Sequence, residues 1–403
     1  MKPLLCALLV IFGGSTMTSP EQPASPPADQ AEAVAGSNAF TADIYARLRT
    51  RPGNLFFSPE SISTAFAMAY AGARGQTASE MAHVFHYTLP PDRLHPAMGV
   101  LLAGMNAPHP DFELHVADAL WAQKDVNFLE SYLQQVQSYG AAFHPVDFKF
   151  SPDAVRGTIN RWVEQETKDK IKDLLPPGSV SSNTSLVLTN AIYFKGSWLN
   201  PFEKSDTHDA DFHISSSQSV KAPLMHRAGA YLYYDAGTFQ MLELPYKGGE
   251  LSMTVLLPKK TDDLPALEES FTSEAVAQWI LKLTRVPRVV LTLPRFTMTQ
   301  RFELGQTLSD MGMPLAFSQR ADFSGMTGQR GFLISAAIHK AFVDVNETGT
   351  EAAAATGAVM LGMAVRREPP PIIFQADHPF LFMIRETKSG SILFLGRVTD
   401  PTR

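Results

Sequence analysis

The sequence predicts an α+β fold, in which helices and mostly antiparallel strands share one large core. Helical and strand-like periodicities both occur, but they lack the regular strand–helix–strand order of a parallel sheet. Residues 186–194 form a nearly continuous apolar run, which is typical of a strand buried on both faces. No linker or internal repeat divides residues 37–403, so we expect a single domain there.

Local patterns place the elements in order along the chain. Phe40 starts a series of apolar residues at helical spacing, which predicts the first helix. Ser58 and Pro59 are typical of a helix start, and Thr77 with Glu80 matches a capping box for the next helix. Further helices are predicted over 93–105, 128–139, 151–162 and 303–311, and within 264–283. Strands are predicted over 55–57, 112–121, 186–194, 230–235, 239–245, 251–257, 288–296, 342–345, 380–384 and 392–396.

Composition and motifs narrow the function classes. The chain has 403 residues, 45% of them hydrophobic, and a formal net charge of −6 without a basic stripe, so nucleic acid is not an expected partner. The motifs G-x-S-x-G, H-E-x-x-H, Walker A and G-x-G-x-x-G are absent, so no enzyme and no cofactor is predicted. His83 and His86 have a spacing that metal ligands use, but no further ligand completes a site, so no metal is predicted.

The N-terminal segment has the pattern of a secretory signal peptide. Lys2 precedes an apolar stretch over 4–12 that is too short to span a bilayer, which predicts a signal peptide over 1–16 and a secreted or periplasmic protein. A disordered apolar start is the alternative. The only cysteine, Cys6, lies in this stretch, so no disulfide is expected in the mature chain. Residues 17–36, rich in Pro and Ala, are predicted to form a disordered tether.

One run of small residues near the C-terminus predicts a segment with two conformations. The run is Glu347, Thr348, Gly349, Thr350, Glu351, Ala352, Ala353, Ala354, Ala355 and Thr356. In an extended strand, alternate residues share a face, and the face that starts at Thr350 and ends at Gly362 carries no charge. Glu351 lies on the opposite face. The pattern therefore fits both an exposed loop and a strand within a half-buried sheet.

This run resembles the hinge of an inhibitory serpin, and other motifs extend the resemblance over residues 38–401. They are GNLFFSPESIS at 53–63, NAIYFKGSW at 190–198, DHPFLF at 377–382 and LFLGRV at 393–398. The resemblance implies three mostly antiparallel sheets, about nine helices and an exposed reactive-centre loop over about 347–371. It also implies suicide inhibition of a serine protease through a covalent acyl complex, by a monomer for which polymerisation is a failure mode.

The resemblance assigns roles to five further residues. Ser58, Ser61, Asn190 and His339 would form a hydrogen-bonded cluster, called the shutter, under the sheet that opens for the loop. Spacing alone favours another interpretation, in which Asn190 and His339 are unrelated polar residues with local partners. Trp198 would lie at the breach, near the upper opening of the sheet, although a tryptophan of the core fits the same position.

Two counts locate the bond offered to the protease, and they disagree. Counting from Gly349 on the family's usual spacing gives Met363–Ala364, whereas counting back from the C-terminal motif gives Arg367–Glu368. The count from the hinge is preferred, because insertion length decides how far the protease is carried. Methionine suits chymotrypsin-like or elastase-like pockets, whereas Arg366 and Arg367 would attract trypsin-like proteases.

Other possibilities are weighed against the same residues. The helix over 93–105 lies where some serpins bind heparin, but it carries no lysine, so no heparin site is predicted. Asn183 and Asn346 begin N-glycosylation patterns, and we expect both to be unmodified. A non-inhibitory serpin-like protein with a storage or chaperone-like role is the main alternative, and an enzyme with an unrelated mechanism is a second one.

Overall fold

The computed structural model describes residues 27–140, 142–350 and 370–403. The predicted signal peptide over 1–16 lies outside these ranges. So do the hinge residues from Glu351 to Thr356 and both candidate reactive bonds, at Met363–Ala364 and at Arg366, Arg367 and Glu368.

The described ranges contain ten α-helices and two short 3₁₀ helices. The α-helices are α1 (Pro27–Leu48), α2 (Pro59–Tyr70), α3 (Gly75–Val84), α4 (Pro91–Asn106), α5 (Glu130–Gln137), α6 (Pro152–Glu166), α7 (Leu264–Ser270), α8 (Ser273–Leu281), α9 (Leu304–Met311) and α10 (Ser324–Thr327). The 3₁₀ helices are Lys204–Asp206 and Pro314–Phe317.

Fifteen strands occupy much of the remaining described chain. They are β1 (Leu55–Phe57), β2 (Phe112–Gln123), β3 (Ala142–Val146), β4 (Leu186–Ser197), β5 (Thr207–Ser215), β6 (Gln218–Asp235), β7 (Phe239–Pro245), β8 (Leu251–Pro258), β9 (Thr284–Pro294), β10 (Phe296–Glu303), β11 (Ala336–Asn346), β12 (Gly349–Thr350), β13 (Ile372–Gln375), β14 (Phe380–Glu386) and β15 (Ile392–Val398). This mixture confirms the α+β class.

Hydrogen bonding joins these strands into two sheets. The six-stranded sheet has the order β10-β11-β12-β4-β2-β3, and β11 also pairs directly with β4 in parallel. The nine-stranded sheet has the order β1-β15-β14-β8-β7-β6-β9-β13, with β5 paired to β6. The 18-residue strand β6 pairs with β5, β7 and β9, so it joins two sections of the larger sheet. The three sheets of the prediction correspond to these two sections and the six-stranded sheet.

Helix α2 lies in the main core, where it packs against strands of both sheets. Its start follows the sequence pattern, since Ser58 caps the helix by accepting a hydrogen bond from the Ser61 amide at 3.3 Å, and Pro59 occupies the first turn. The first nine residues of β4 are buried, as the apolar run predicts. A second core packs α6 against the other face of the six-stranded sheet. The six-stranded sheet is therefore covered on both faces.

The predicted disordered tether over 17–36 is wrong from residue 27 onward, because α1 begins at Pro27. Ala33 and Val34 are buried on this helix, and Asp29 forms an ion pair with Arg93 of α4. The Pro- and Ala-rich composition suggested disorder. Alanine is also the strongest helix former, however, and proline is tolerated in a first helical turn. Tertiary contacts with α4 favour the helix.

The predicted capping box at Thr77 and Glu80 is also wrong. Helix α3 begins at Gly75, so Thr77 lies inside it. The Thr77 hydroxyl accepts a hydrogen bond from the Asp322 amide at 2.9 Å, and Glu80 accepts one from the Leu315 amide at 3.1 Å. Both side chains therefore hold the distant segment that contains α10 and the second 3₁₀ helix, instead of capping their own helix.

Candidate functional site

The short strand β12 lies between β11 and β4 at one end of the six-stranded sheet. Thr350 is paired with Val345 of β11 on one side and with Gly196 of β4 on the other, antiparallel to both. Farther along the sheet, residues 336–342 of β11 pair directly with residues 187–193 of β4. The chain therefore turns back after β11 and starts to occupy the line along which these two strands meet.

The pairing of β12 with β4 requires glycine at position 349. A Cβ atom at this position would lie 2.0 Å from the carbonyl oxygen of Gly196 and 2.7 Å from the Cα atom of Ser197. These contacts are with backbone, which cannot move aside as a flexible side chain would. The backbone φ of +154° is also one that residues with side chains rarely adopt. No other residue type fits while β12 is paired in this way.

Thr350 faces inward, and its side chain is fully buried. Its hydroxyl lies 2.8 Å from the hydroxyl of Tyr246, which is itself fully buried. This pair satisfies the hydrogen-bonding needs of two polar groups that would otherwise be costly to bury. A charged side chain at position 350 would have no room for solvation and no partner here.

Trp198 holds the turn between β11 and β12. Its ring stacks on Tyr246 at a centroid distance of 4.6 Å, and its Nε1–H donates to the carbonyl oxygen of Asn346 at 2.9 Å. Its amide also donates to the carbonyl oxygen of Thr348 at 2.9 Å. Trp198 therefore contacts both Tyr246, which lies beneath β12, and the backbone of the turn that precedes β12.

Glu347 anchors the same turn through its carboxylate. The buried Oε1 atom accepts from Arg295 Nη2 at 2.5 Å and from Thr207 Oγ1 at 2.8 Å, and the Phe202 amide donates to the Glu347 carbonyl oxygen at 2.8 Å. Burial acts to raise the pKa of Glu347. The hydrogen bonds from its own amide, Thr207 and Arg295 outweigh burial and hold the pKa below its ordinary value.

The four predicted shutter residues form one hydrogen-bonded cluster. The Ser58 amide donates to His339 Nε2 at 3.0 Å, so the proton of the neutral ring lies on Nδ1, which donates to Asn190 Oδ1. The Asn190 amide donates through Nδ2 to the Ser61 hydroxyl and, at 3.1 Å, to the Ser61 carbonyl oxygen. Burial lowers the pKa of His339 to about 3, so the ring is neutral near pH 7. The cluster joins β4, β11 and the start of α2.

Sequence reasoning missed a fifth member of this cluster, Asp118 on β2. Asp118 lies directly opposite Asn190 in the β2–β4 pairing, and Asn190 Nδ2 donates to its Oδ1 atom. A signal for it existed in the sequence. Asp118 alternates with Leu114, Val116 and Leu120, so it places an acid on the apolar face of the strand.

The structure also bears on a metal site near His83 and His86 and on membrane-spanning helices. Across the described ranges, no group of three or more His, Cys, Asp or Glu side chains has an arrangement that could hold a metal ion. His86 instead bonds Asp43 at 2.7 Å on the surface. The helices within the described residues are too short or too polar to cross a membrane.

A family model described as serpin (serine protease inhibitor) matches residues 35–401. This chain belongs to the serpin family. Human Serpin B3 is 40% identical over 382 residues, covering 90% of this chain and 97% of that protein. Human leukocyte elastase inhibitor is 40% identical over 373 residues, with the same coverage. The crystal structure of uncleaved ovalbumin matches with a TM-score of 0.84 and 30% identity, covering 92% of this chain and all of ovalbumin.

Membership confirms the resemblance found in the sequence and the serpin fold that it implied. The family is described as one of protease inhibitors, and similar proteins include an inhibitor of leukocyte elastase. The serpin fold thus contains the pairing of β12 with β4, the contact between Trp198 and Tyr246 and the cluster around Asn190.

Proposed function

We propose that this serpin is a suicide inhibitor of serine endopeptidases, with chymotrypsin-like or elastase-like proteases as its targets. The observation that carries the proposal is the position of Thr350. It is buried between the two central strands that the loop would have to separate, and its neighbour Gly349 is the residue type that this close approach requires. This position supports insertion of the following residues between β11 and β4.

Extending the observed pairing supports the same mechanism. If β12 lengthened in its present register, Thr356 would come to lie opposite Asn190 of β4 and His339 of β11. Inward-facing positions from Thr350 to Thr356 carry only threonine and alanine side chains. Small uncharged residues add little volume to a packed interior, so the strand could enter without strain. A polar threonine would also meet the polar cluster.

The proposed mechanism follows the chemistry of serine proteases. The protease serine attacks a peptide bond in the loop, an acyl-enzyme forms and the new amino terminus leaves. The freed loop then inserts as a strand and carries the attached protease with it before water can cleave the ester. Thr350 to Met363 comprises fourteen residues, roughly 46 Å at ~3.3 Å per residue. At about 1 kcal/mol per new hydrogen bond, insertion would contribute on the order of 10 kcal/mol.

We place the reactive bond at Met363–Ala364. Cleavage after Arg366 or Arg367 would leave three or four extra residues between the inserted strand and the protease, roughly 10–13 Å of slack. Slack leaves the protease less distorted, so hydrolysis would release it. Trypsin-like proteases are therefore expected mainly to cleave the protein rather than to be trapped by it.

The test is incubation of the protein with chymotrypsin, elastase and trypsin at equal molar ratios. We expect a complex that survives denaturing electrophoresis with chymotrypsin or elastase, and a released peptide that begins at Ala364 by mass spectrometry. The same proteases with a chemically blocked active-site serine are the control and should give no complex. A covalent trypsin complex with a peptide beginning at Arg367 or Glu368 would overturn the assignment of the bond.

Thermal stability gives a second test that needs no covalent complex. Cleavage within the loop should allow the cut strand to insert, so the nicked protein should melt at a clearly higher temperature than the intact one. Intact and nicked protein that melt at the same temperature would instead indicate a non-inhibitory serpin.

Export is also part of the proposal. N-terminal sequencing of the protein from its host would test whether residues 1–16 are removed.

A further inference from the structure

Asp118 is a carboxyl group enclosed in the middle of the sheet that the loop has to open. Its exposed fraction is 5%, and Oδ1 accepts the hydrogen bond from Asn190 Nδ2. Within the described residues, Oδ2 has no hydrogen-bond partner. An ionised carboxylate with one unsatisfied oxygen is among the most costly groups to bury.

The hydrogen bond to Asp118 decides how the Asn190 amide is turned. With Nδ2 directed at Asp118 and Ser61, the carbonyl Oδ1 faces His339. The opposite orientation would bring two donors together, because His339 Nδ1 carries the proton while Nε2 accepts from Ser58. Asp118 therefore fixes the contact between Asn190 of β4 and His339 of β11, which must break when these strands separate.

The groups around Asp118 provide no compensating positive charge. Those facing it are Asn190 on β4, Ser61 on α2 and, beyond Asn190, the neutral ring of His339 on β11. Glu60 lies next to Ser61 but accepts from Ser391, and it is itself a buried acid. No lysine or arginine of the described chain forms an ion pair with Asp118. Burial raises the pKa of Asp118 well above its ordinary value, and the hydrogen bond from Asn190 offsets only part of this.

We infer that Asp118 is a positioning residue of the shutter, and that the proton it carries in the closed sheet controls how readily β4 and β11 separate. The inference rests on the proposed function, since it concerns opening of the same sheet for the loop. It assigns to this serpin a sheet whose opening becomes easier as pH rises.

The direction follows from proton linkage. In the closed sheet Asp118 holds its proton, whereas water entering the opened sheet would let the carboxyl ionise at its ordinary pKa. The closed state is therefore favoured fully below that ordinary pKa and loses this advantage as pH rises toward the raised pKa of the closed state. Release of one proton on opening sets an upper limit of about tenfold in rate per pH unit.

The experiment measures how fast the native monomer disappears on native gels during warming at a fixed temperature, from pH 5 to pH 9. The wild-type rate should increase with pH relative to that of Asp118→Asn, an isosteric variant that cannot ionise. At the upper end of the pH range, Asp118→Asn should also lose native monomer several-fold more slowly than the wild type. Both proteins contain His339, so its own titration cancels in the ratio. Asp211→Asn, which removes an exposed acid from β5, is the matched control and should follow the wild type.

Two outcomes would overturn the inference. One is a ratio of wild-type to Asp118→Asn rates that does not change with pH, and the other is an Asp118→Asn variant that converts faster than the wild type at every pH. Asp118→Ala lacks the acceptor for Asn190, so it should lose native monomer faster than the wild type at all pH values. If asparagine at position 118 restores the slow loss, the hydrogen bond to Asn190 is responsible, and not packing alone. No protease enters the assay. If the protein does not inhibit a protease but the ratio of wild-type to Asp118→Asn rates still changes with pH, the proposed function is refuted and the inference about Asp118 is not.

Discussion

Replacing Thr350 with arginine places a charge at the point where the hinge enters the sheet. The Thr350 side chain is fully buried, bonds the Tyr246 hydroxyl at 2.8 Å and lies between β11 and β4. The carboxylate of Glu347 in the preceding turn is already paired with Arg295. A guanidinium at this position would therefore enter the sheet without a partner.

The surroundings of Thr350 set the free-energy cost of burying an arginine there. Leaving a buried charge without a partner costs about 3–5 kcal/mol, and losing the hydrogen bond with Tyr246 adds about 1 kcal/mol. At about 1.4 kcal/mol per factor of ten, insertion should slow by roughly three to four orders of magnitude. Hydrolysis of the acyl-enzyme would then precede insertion, so Thr350→Arg should behave as a substrate that is cleaved without trapping the protease.

The assay is the stoichiometry of inhibition, measured by titrating active chymotrypsin or elastase with each variant and quantifying the covalent complex and the cleaved protein. Thr350→Val is the matched control, because it keeps the shape and loses only the hydroxyl. It should cost about 1 kcal/mol, or roughly fivefold in insertion rate. If Thr350→Arg traps protease with the stoichiometry of the wild type, the reasoning about this hinge is refuted.

Two further predictions concern the cluster and the turn. Asn190→Ala or His339→Ala should leave buried partners unpaired at a cost of about 1–3 kcal/mol, so native monomer should disappear faster on warming, and unchanged lifetimes would show that these residues only pack. Because the pKa of Glu347 is held below its ordinary value, the stability that it contributes is present above the unfolded pKa of 4.5 and is lost as pH falls through the lowered value. Glu347→Gln should therefore lower the melting temperature near pH 7 and flatten its decline in acid, and parallel acid profiles would contradict this role.

Several elements could be predicted because their causes are local. Ser58 and Pro59 start α2 as their residue types favour, and the apolar run at 186–194 becomes the buried first part of β4. The uncharged face that begins at Thr350 predicted a residue able to lie inside a sheet, and Thr350 is buried there. In each case the information lies within a few consecutive residues, so the pattern itself is sufficient.

Local patterns failed where distant partners decided the outcome. Thr77 and Glu80 match a capping box, yet they bond the backbone of Asp322 and Leu315, more than 200 positions away in the sequence. The segment from Pro27 to residue 36 has the composition of a tether, but its contacts with α4 make it helical. Helix propensity contributes little per residue, so buried contacts elsewhere in the fold decide whether such a segment becomes a helix.

The sequence by itself determined the small residues that begin at Gly349, the start of α2 and the apolar run that forms the buried part of β4. Only the tertiary structure decided that Asp118 meets Asn190, 72 positions away, and that Asn190 meets His339, 149 positions away. These contacts depend on the register of β2, β4 and β11, and a shift of one residue would turn each side chain to the other face. Register is fixed by the packing of the whole sheet on α2 and α6, which no local stretch of sequence contains.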